Sequence, residues 1–506
     1  MLLLFSPAFL LNKFAKCWLL LFYLVVIFPA VLCGVHIYFF DANISYQAIA
    51  SILVTSVSEA KEFLDSQFSF LGIFWGCFLI FFPLIFLKKI WKFFPADKTN
   101  YRAFVIVLAL CGISFFCIGK QRFLKDSQVW IVYSSIYEYY KIEKDFSRYL
   151  EIMKSVKIDN VCNSDDTINK TLVVLIGESS SRHHWGLYGY FRDTTPRLNK
   201  IKDELFIFKN AVNPTPFTHT SLIRSLFFEE LGIYQNFPII PLLQQTGYKV
   251  YWVSNQATAE LGLFNYLALM SDEKQYLNRS GTHDYKYKSY DENLLEALEE
   301  ILKQNKNQNK IIFMHTMGSH SHYQSRYPEE FNAFNSSGDL TEKKWRRYDD
   351  FNSINCYDNS INYTDFIVSR CIEMLKNEKN SSLLYFSDHG EDVFDVMPYH
   401  GRNAEISSRY MVDIPVLFWL SEDMKQILKD RIEYWQTTLE RPFMTDILSL
   451  MICDLLNIKI PSTAKDSCNP LNPAYKAYER IVEGKNYDVI FSGEKGLLEP
   501  VMQSNQ

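Results

Sequence analysis

Long apolar runs dominate the first 120 residues of the chain, and a regular alternation of apolar and polar positions appears only after them. Three stretches, 17–40, 68–87 and 103–119, contain no Lys, Arg, Asp or Glu. A helix needs about 20 mostly apolar residues to cross the hydrocarbon core of a bilayer. The pattern therefore predicts an α-helical membrane domain over residues 1–120 with three spans.

The charges between these stretches predict the orientation of the membrane domain. The second connection carries five basic residues, whereas the first carries one. They are Lys88, Lys89, Lys92, Lys98 and Arg102 in the second connection and Lys61 in the first. Because basic connections stay in the cytoplasm, we expect the chain after residue 120 to lie on the other side of the membrane. A signal peptide is the alternative interpretation of the first stretch.

The first connection has a pattern of its own. Ile49, Leu53, Val57, Ala60 and Leu64 recur at helical spacing between polar positions. This spacing predicts an amphipathic helix near residues 45–65 on the outer membrane surface. A connecting helix packed on the spans explains the pattern equally well. The polar, Tyr- and Lys-rich residues 121–165 predict a helical linker.

After residue 165, short apolar segments alternate with amphipathic ones. The apolar segments predict strands at 172–176, 249–253, 311–315, 383–387 and 415–420. The amphipathic segments predict helices at 221–231, 292–303 and 358–375. This alternation is typical of an α/β fold with a largely parallel sheet flanked by helices, and we assign that fold to residues 166–506.

Composition narrows the choice of partner and compartment. Lys+Arg 52 against Asp+Glu 57 gives a net charge of −5, so the chain has no general field that attracts nucleic acid. Five cysteines after residue 120 would face an oxidising compartment, where disulfides persist. Cys356 could pair with Cys371 and Cys453 with Cys468, although the sequence does not fix the connectivity.

Polar residues that bind metals or protons follow three of the predicted strands. Glu178 follows the first strand, His315 ends the third and His320 comes shortly after it, and Asp388-His389 follow the fourth. Since ligand sites in open parallel sheets lie beyond the carboxyl ends of the strands, we expect these side chains to meet. Carboxylate and imidazole ligands suit zinc, with manganese as a substitute. For Glu178 alone, a helix N-cap is an equal alternative.

A hydroxyl-rich turn supplies a candidate nucleophile. Residues 213–221, NPTPFTHTS, place several hydroxyls just before the predicted helix 221–231. A helix N-terminus attracts phosphate and favours an alkoxide. The alternative is that Thr218 or Thr220 only caps the helix.

Together these segments resemble the phosphoethanolamine transferases of Gram-negative inner membranes, which belong to the alkaline phosphatase and sulfatase superfamily. The matching segments are GESSSRHHWGLYGYFRDTTPRL (177–198), the turn 213–221, HTMGSHSHYQSRYP (315–328), and YFSDHGED (385–392) followed by His400. The likeness is greatest to members that modify lipopolysaccharide. It implies an alkaline phosphatase-like catalytic domain after the membrane anchor.

The resemblance also implies roles for single residues. It implies that Glu178, Asp388 and His389 bind zinc together with Thr218, the nucleophile. His320 and His400 resemble histidines that contact the transferred phosphate or a further metal, and Asn255 resembles a substrate-loop residue, although an N-cap fits it equally well. We expect His315 and His322 to be structural and the pair His183-His184 to lie on the surface.

The implied function is a zinc-dependent transfer of phosphoethanolamine from phosphatidylethanolamine, through a covalent threonine intermediate, to lipopolysaccharide, on either lipid A or core. The implied location is the bacterial inner membrane, with the catalytic domain in the periplasm. The alternatives are a phosphoglycerol transferase or other metal-dependent phosphodiesterase of the same superfamily, and an inactive membrane-anchored envelope scaffold. A sulfatase is disfavoured because Ser221-Leu222-Ile223-Arg224 lacks the proline of the sulfatase nucleophile motif.

The chain departs from this family in two respects. Members commonly have more spans than the three predicted here, and no cysteine flanks Thr218, where some members place one. The departures weaken any transfer of acceptor specificity from disulfide-rich members.

Overall fold

The computed structural model describes most of the chain after residue 127 and parts of the chain before it. The described residues are 25, 28–40, 44–55, 85, 128–164, 168–256, 265–278, 289–304, 306–336, 340, 348–398, 400–402 and 408–492. The chain divides into two compact units, one of residues 1–53 and 61–142 and one of residues 54–60 and 143–506.

The described helices are numbered in chain order. They are α1 (Phe28–Phe40), α2 (Tyr46–Val54), α3 (Gln128–Met153), α4 (Pro196–Lys200), α5 (Thr218–Leu226), α6 (Ile239–Gln245), α7 (Asn265–Met270), α8 (Glu292–Lys303), α9 (Tyr348–Leu375), α10 (Glu422–Ile427), α11 (Lys429–Gln436), α12 (Leu448–Leu456) and α13 (Tyr487–Ile490).

The first unit contains α1, α2 and the beginning of α3. Cys33, Ile44, Ile49 and Val132 form a small buried core there. No described helix is both long and apolar enough to cross a membrane. The third predicted span, the second span apart from residue 85, the basic connection between them and residues 56–65 of the predicted outer helix lie outside the described residues.

The second unit is built on a seven-stranded sheet. In chain order its strands are β1 (Thr171–Gly177), β2 (Leu205–Phe208), β3 (Lys249–Ser254), β4 (Glu273–Tyr276), β5 (Lys310–His315), β6 (Ser381–Ser387) and β7 (Val416–Leu420). Their order across the sheet is β2-β7-β6-β1-β5-β3-β4, and β7 runs antiparallel to both of its neighbours. The sheet is therefore mixed, with one reversed strand in an otherwise parallel arrangement.

Short two-stranded ladders surround this sheet. They pair Cys162–Asn163 with Ile458–Lys459, Ala211–Val212 with Phe443–Met444, Phe227–Leu231 with Tyr234–Pro238, Asp392–Val393 with His400–Gly401, and Ile481–Val482 with Lys485–Asn486.

The central strand β1 is buried on both faces, as its apolar run predicts. Leu172, Val174 and Ile176 contribute to one hydrophobic core, and Val173 and Leu175 contribute to another. Side chains alternate between the two faces of a strand, so a strand covered by helices on both sides needs apolar residues at every position. The sheet therefore lies between two apolar layers.

Five of the seven strands agree with the sequence prediction to within two residues at each end. The edge strand β4 and the four-residue strand β2, at the two margins of the sheet, were not predicted.

The prediction of a helix at 221–231 is wrong at both ends. The helix begins at Thr218, and Phe227–Leu231 is a strand that turns back through Gly232 at φ +61°. Helix α9 begins ten residues before the predicted Asp358.

Neither of the two cysteine pairs that the sequence allows forms a disulfide in the described residues. Cys356, Cys371, Cys453 and Cys468 are all free thiols. Cys356 and Cys371 both lie on α9. At about 1.5 Å rise per residue their separation along the helix far exceeds the Cα distance that a disulfide permits.

The expectation that His183 and His184 lie on the surface is wrong. Both rings are buried. His184 Nδ1 lies 2.6 Å from Asp358 on α9, and His184 Nε2 lies 3.0 Å from Asp395. With a carboxylate at each nitrogen, both nitrogens must donate, so the ring is an imidazolium. Burial alone would lower the pKa of His184, but Asp395 and Asp358 raise it to about 10.

We predict that His184→Gln lowers the free energy of unfolding of the second unit by about 3–5 kcal/mol, because two buried carboxylates lose their shared cation. The pKa of His184 is raised in the folded state. Its contribution is therefore fully present below about pH 6.5, the ordinary value, and is lost as the pH rises towards 10. Urea titrations followed by tryptophan fluorescence across this range should show the wild-type advantage shrinking.

His183→Gln is the matched control. Its ring lies 2.8 Å from Asp413, and burial lowers the pKa of His183, so its contribution should not change over the same pH range. Equal pH dependence of the two variants would contradict the imidazolium assignment.

Candidate active site

The register of the central strands β1, β5 and β6 brings the site residues together at the carboxyl ends of these strands. Gly177 of β1 pairs with Ser387 of β6, and Ile176 pairs with His315 of β5. The next residues on β1 and β6 are Glu178 and Asp388, so the two carboxylates leave adjacent strands side by side. The expectation that these strand ends deliver their polar side chains to one edge of the sheet agrees with the structure.

Glu178, Asp388 and His389 converge on one point and are almost fully buried. His389 Nε2 lies 3.2 Å from Glu178 Oε1 and 3.4 Å from Asp388 Oδ2. His315 approaches the same point, since its Nε2 lies 4.0 Å from Glu178 Oε2. Ligand atoms of Glu178, His315 and Asp388 all lie within 4.8 Å of one another, which is the geometry of a cation site.

The hydrogen bonds around this point show which donor atoms are left for a cation. His389 Nδ1 lies 2.8 Å from the carbonyl oxygen of Gly390 and donates to it, which leaves the lone pair on Nε2. Asp388 Oδ1 accepts from the backbone N–H groups of Ser179 and His389. Asp388 Oδ2 is buried and accepts no hydrogen bond of normal geometry from the described residues. A lone pair and carboxylate oxygens that face one another in a buried site are a donor set that a cation would stabilise.

Burial and neighbouring charges shift the pKa values of these three groups. Burial alone would raise the pKa of Glu178, but its contact with His389 and the positive charge of Arg402 hold it well below its ordinary value. Burial and then the negative charge of Glu178 raise the pKa of Asp388. Burial and the charge of Arg402 lower the pKa of His389, so its imidazole is neutral, as a metal ligand requires.

Thr218 adds a hydroxyl to this cluster. It is the first residue of α5, and its Oγ1 lies 3.2 Å from Glu178 Oε2 and 3.2 Å from His389 Nε2. The free N–H groups at the start of a nine-residue helix therefore lie beside the hydroxyl. The sequence pattern placed Thr218 before the helix, whereas the structure places it within the first turn.

The neighbouring hydroxyls are engaged elsewhere. Ser221 Oγ accepts from Asn213 Nδ2 at 2.7 Å and donates to the carbonyl oxygen of Asp388. Thr220 Oγ1 lies 3.5 Å from Thr215 Oγ1. Among these hydroxyls only that of Thr218 contacts both Glu178 and His389.

Two residues of the site were not predicted from the sequence. Arg402 Nη1 lies 3.4 Å from Glu178 Oε1 and 3.1 Å from Ser179 Oγ, and it also contacts His389. Gln256 Nε2 donates to Glu178 Oε2 at 3.3 Å and to the carbonyl oxygen of Thr316 at 2.6 Å. The resemblance marked their neighbours Asn255 and His400 but not Gln256 or Arg402 themselves.

Asn255 lies next to Gln256 but points elsewhere. Its buried amide donates to Asp291 Oδ1 at 2.8 Å and to the carbonyl oxygen of Ser289 at 3.2 Å, and it accepts from Ser289 Oγ. Asp291 in turn accepts from the backbone of Met317 and Gly318. Asn255 therefore braces the loops around the site, and its substrate-binding role stays a prediction.

His320 and His400 lie at the periphery of the cluster. His320 is half-buried and interacts electrostatically with Glu178 and Arg402. His400 is buried and lies 3.3 Å, through Nδ1, from the hydroxyl of Tyr323, which donates to Glu391 at 2.8 Å. Burial lowers the pKa of His320 to about 3 and that of His400 to about 4, so both rings are neutral.

The loop after β5 packs directly on the loop after β1. Gly318 has φ +48°, and a Cβ there would lie 2.8 Å from the carbonyl oxygen of Glu178 and 2.9 Å from its nitrogen. Only glycine avoids both the left-handed strain and the contact.

We predict that Gly318→Ala costs clearly more stability than Gly232→Ala. Gly232 also has positive φ, +61°, but a Cβ added there would meet no atom within 4 Å. The control should therefore lose only the strain of about 1 kcal/mol that the conformation imposes. Urea titration of both variants measures the difference, and equal losses would show that Glu178 is not held by this contact.

Comparison with known proteins gives the site a context. The chain is 34% identical over 290 residues to the phosphoethanolamine transferase EptC of Escherichia coli K12, and these residues are 55% of this chain and 48% of EptC. The chain thus spans about half the length of that relative.

Two solved structures share the fold. The C-terminal periplasmic domain of Escherichia coli EptC, in a complex with Zn, is 29% identical with a TM-score of 0.58 and covers 64% of this chain and 92% of its own. The integral membrane protein lipooligosaccharide phosphoethanolamine transferase A of Neisseria meningitidis has a TM-score of 0.62 at 19% identity over 95% of this chain and 92% of its own, which shows the fold alone. The family model described as Sulfatase matches residues 170–451, more than half of the chain and all of the strands that carry the site, so this chain belongs to the sulfatase family.

Proposed function

We propose that the chain is a zinc-dependent phosphoethanolamine transferase that modifies lipopolysaccharide on lipid A or core. The observation that carries the proposal is the position of Thr218, whose hydroxyl contacts Glu178 and His389 at the buried cluster. The names of the relatives support the transferred group, and the Zn complex of the EptC domain supports the metal.

The donor set fits zinc. Glu178, Asp388 and His389 would hold the ion, Thr218 would complete the site, and manganese could substitute. Bound there, zinc would act as a Lewis acid that lowers the pKa of the Thr218 hydroxyl and offsets charge on the transferred phosphoryl group.

The residues of the chain then perform a two-step transfer. Thr218 Oγ1 bonds to the phosphorus of phosphatidylethanolamine as the bond to the diacylglycerol oxygen breaks, and diacylglycerol leaves with a proton. A hydroxyl or phosphate of the acceptor then attacks the phosphothreonine, and Thr218 recovers its proton. His320 and His400, with neutral rings, exchange protons and hydrogen bonds with the phosphoryl group and the leaving oxygens.

The test of this mechanism is the donor that labels Thr218. Full-length protein incubated with headgroup-labelled phosphatidylethanolamine should carry phosphoethanolamine on Thr218, mapped by peptide mass spectrometry. Thr218→Ala should abolish the adduct and the transfer. Thr220→Ala is the control and should keep substantial activity, since it loses at most about 1 kcal/mol of helix stabilisation.

Other outcomes separate the alternatives. Labelling from phosphatidylglycerol would make the chain a phosphoglycerol transferase. An adduct on Thr220 or Ser221 would show that this residue, and not Thr218, is the nucleophile. A protein with no zinc and no adduct would be a scaffold.

We also propose that the catalytic unit lies in the periplasm of a bacterium, held at the inner membrane by the apolar stretches before residue 120. The basic residues between the second and third stretches support this orientation.

A reporter fused after residue 130 should therefore be active only if it functions outside the cytoplasm. Alkaline phosphatase fused there should be active and a cytoplasmic reporter inactive. The reverse pattern would contradict the three-span topology.

A further inference from the structure

Arg402 reaches the centre of the site from a short ladder. It follows His400–Gly401, which pairs with Asp392–Val393, so its backbone is held next to the loop that carries Asp388 and His389. Its side chain is 22% exposed, whereas that of Glu178 is 1% exposed. A guanidinium that is partly open to solvent therefore lies over a buried carboxylate.

The contacts of Arg402 are those of a cation in the ligand cluster. Nη1 approaches Glu178 Oε1, Ser179 Oγ and both nitrogens of His389. Glu178 and His389 are two of the groups whose donor atoms fit a metal. A guanidinium and a metal ion cannot both occupy this position, because their positive charges would repel one another at contact distance.

Arg402 also lies within reach of the nucleophile. Thr218 Oγ1 and Arg402 Nη1 both contact the same atom, His389 Nε2. When a phosphoryl group is bonded to Thr218 Oγ1, its non-bridging oxygens lie close to Thr218 Oγ1. The guanidinium, tethered beside the cluster, can meet those oxygens after a small displacement.

The chemistry of the guanidinium suits this task. Arginine stays charged and presents a planar set of N–H donors that match phosphate oxygens in pairs. In the described structure its hydrogen bonds within the cluster are all made by Nη1. Nη2 and Nε make no hydrogen bond with the described residues of the cluster, so they can donate to an incoming anion.

We propose that Arg402 binds the non-bridging oxygens of the phosphoryl group at Thr218 and, when no metal is bound, occupies the cation position between Glu178 and His389. The inference rests on the proposed function to the extent that Thr218 accepts a phosphoryl group. Arg402 would thus be an additional phosphate-binding residue that also competes with the metal, and the sequence alone reveals neither role.

The test measures anion and metal binding separately, on the full-length protein in detergent. Inorganic phosphate is titrated into zinc-loaded protein by calorimetry, and zinc affinity is measured by competition with a chelator. Arg402→Ala should weaken phosphate binding by about tenfold or more, the loss expected for a charge-assisted hydrogen bond. Its zinc affinity should be higher than that of the wild type, because the competing cation is gone, and an unchanged zinc affinity would contradict the competition.

Two variants serve as controls. Arg402→Lys keeps the positive charge but loses the planar pair of N–H donors, and it should bind phosphate with intermediate affinity. Arg224→Ala removes an exposed arginine from the last turn of α5, the same helix that begins at Thr218, and should leave both affinities unchanged.

Two results would overturn the proposal. Unchanged phosphate affinity in Arg402→Ala would show that the guanidinium does not bind the anion. Parallel loss of zinc and phosphate would show that Arg402 only supports the ligands. If the wild type binds phosphate through Arg402 but transfers nothing from phosphatidylethanolamine, the proposed function is wrong, whereas the assignment of Arg402 as an anion-binding residue is supported.

Discussion

Two buried carboxylates and a neutral imidazole face one another at the end of the central strands, and the rest of the second unit holds them in that position. Glu178 and Asp388 cannot move apart, because β1 and β6 pair in register up to Gly177 and Ser387. A cation between these groups would offset the cost of burying them together. In the described structure the guanidinium of Arg402 supplies part of that charge.

The surrounding frame holds this unfavourable arrangement in place. Tyr357 of α9 accepts from the nitrogen of Ser181 at 2.9 Å and donates to the carbonyl oxygen of Ser179 at 2.7 Å, which fixes the loop after β1. Ser179 has φ +57°, a conformation that a non-glycine residue adopts only when its neighbours enforce it. Deeper in the fold, charges of both signs are buried in pairs. Asp413 is one of them, and although burial alone would raise its pKa, Arg182 and His183 hold the pKa of this carboxyl below its ordinary value.

The sequence predicted those parts of the structure that depend on local patterns. Apolar runs located the five longer strands, and polar residues directly after them located Glu178, Asp388 and His389. What it missed depends on long-range contacts. His184 was assigned to the surface because its partners, Asp358 and Asp395, lie more than 170 residues away along the chain. Arg402 follows a two-residue ladder that no periodicity reveals. The strand Phe227–Leu231 was predicted as helix because its apolar residues continue the spacing of α5.

The position of a bound metal tests the central claim most directly. Crystals of zinc-loaded protein, measured on both sides of the zinc absorption edge, should give an anomalous peak within about 2.0–2.2 Å of oxygen or nitrogen atoms of Glu178, Asp388 and His389. Thr218 should be next to that peak, and Arg402 should have left its contact with His389. A peak that lies elsewhere, for instance between His320 and His400, with the Arg402 contact intact, would contradict the account.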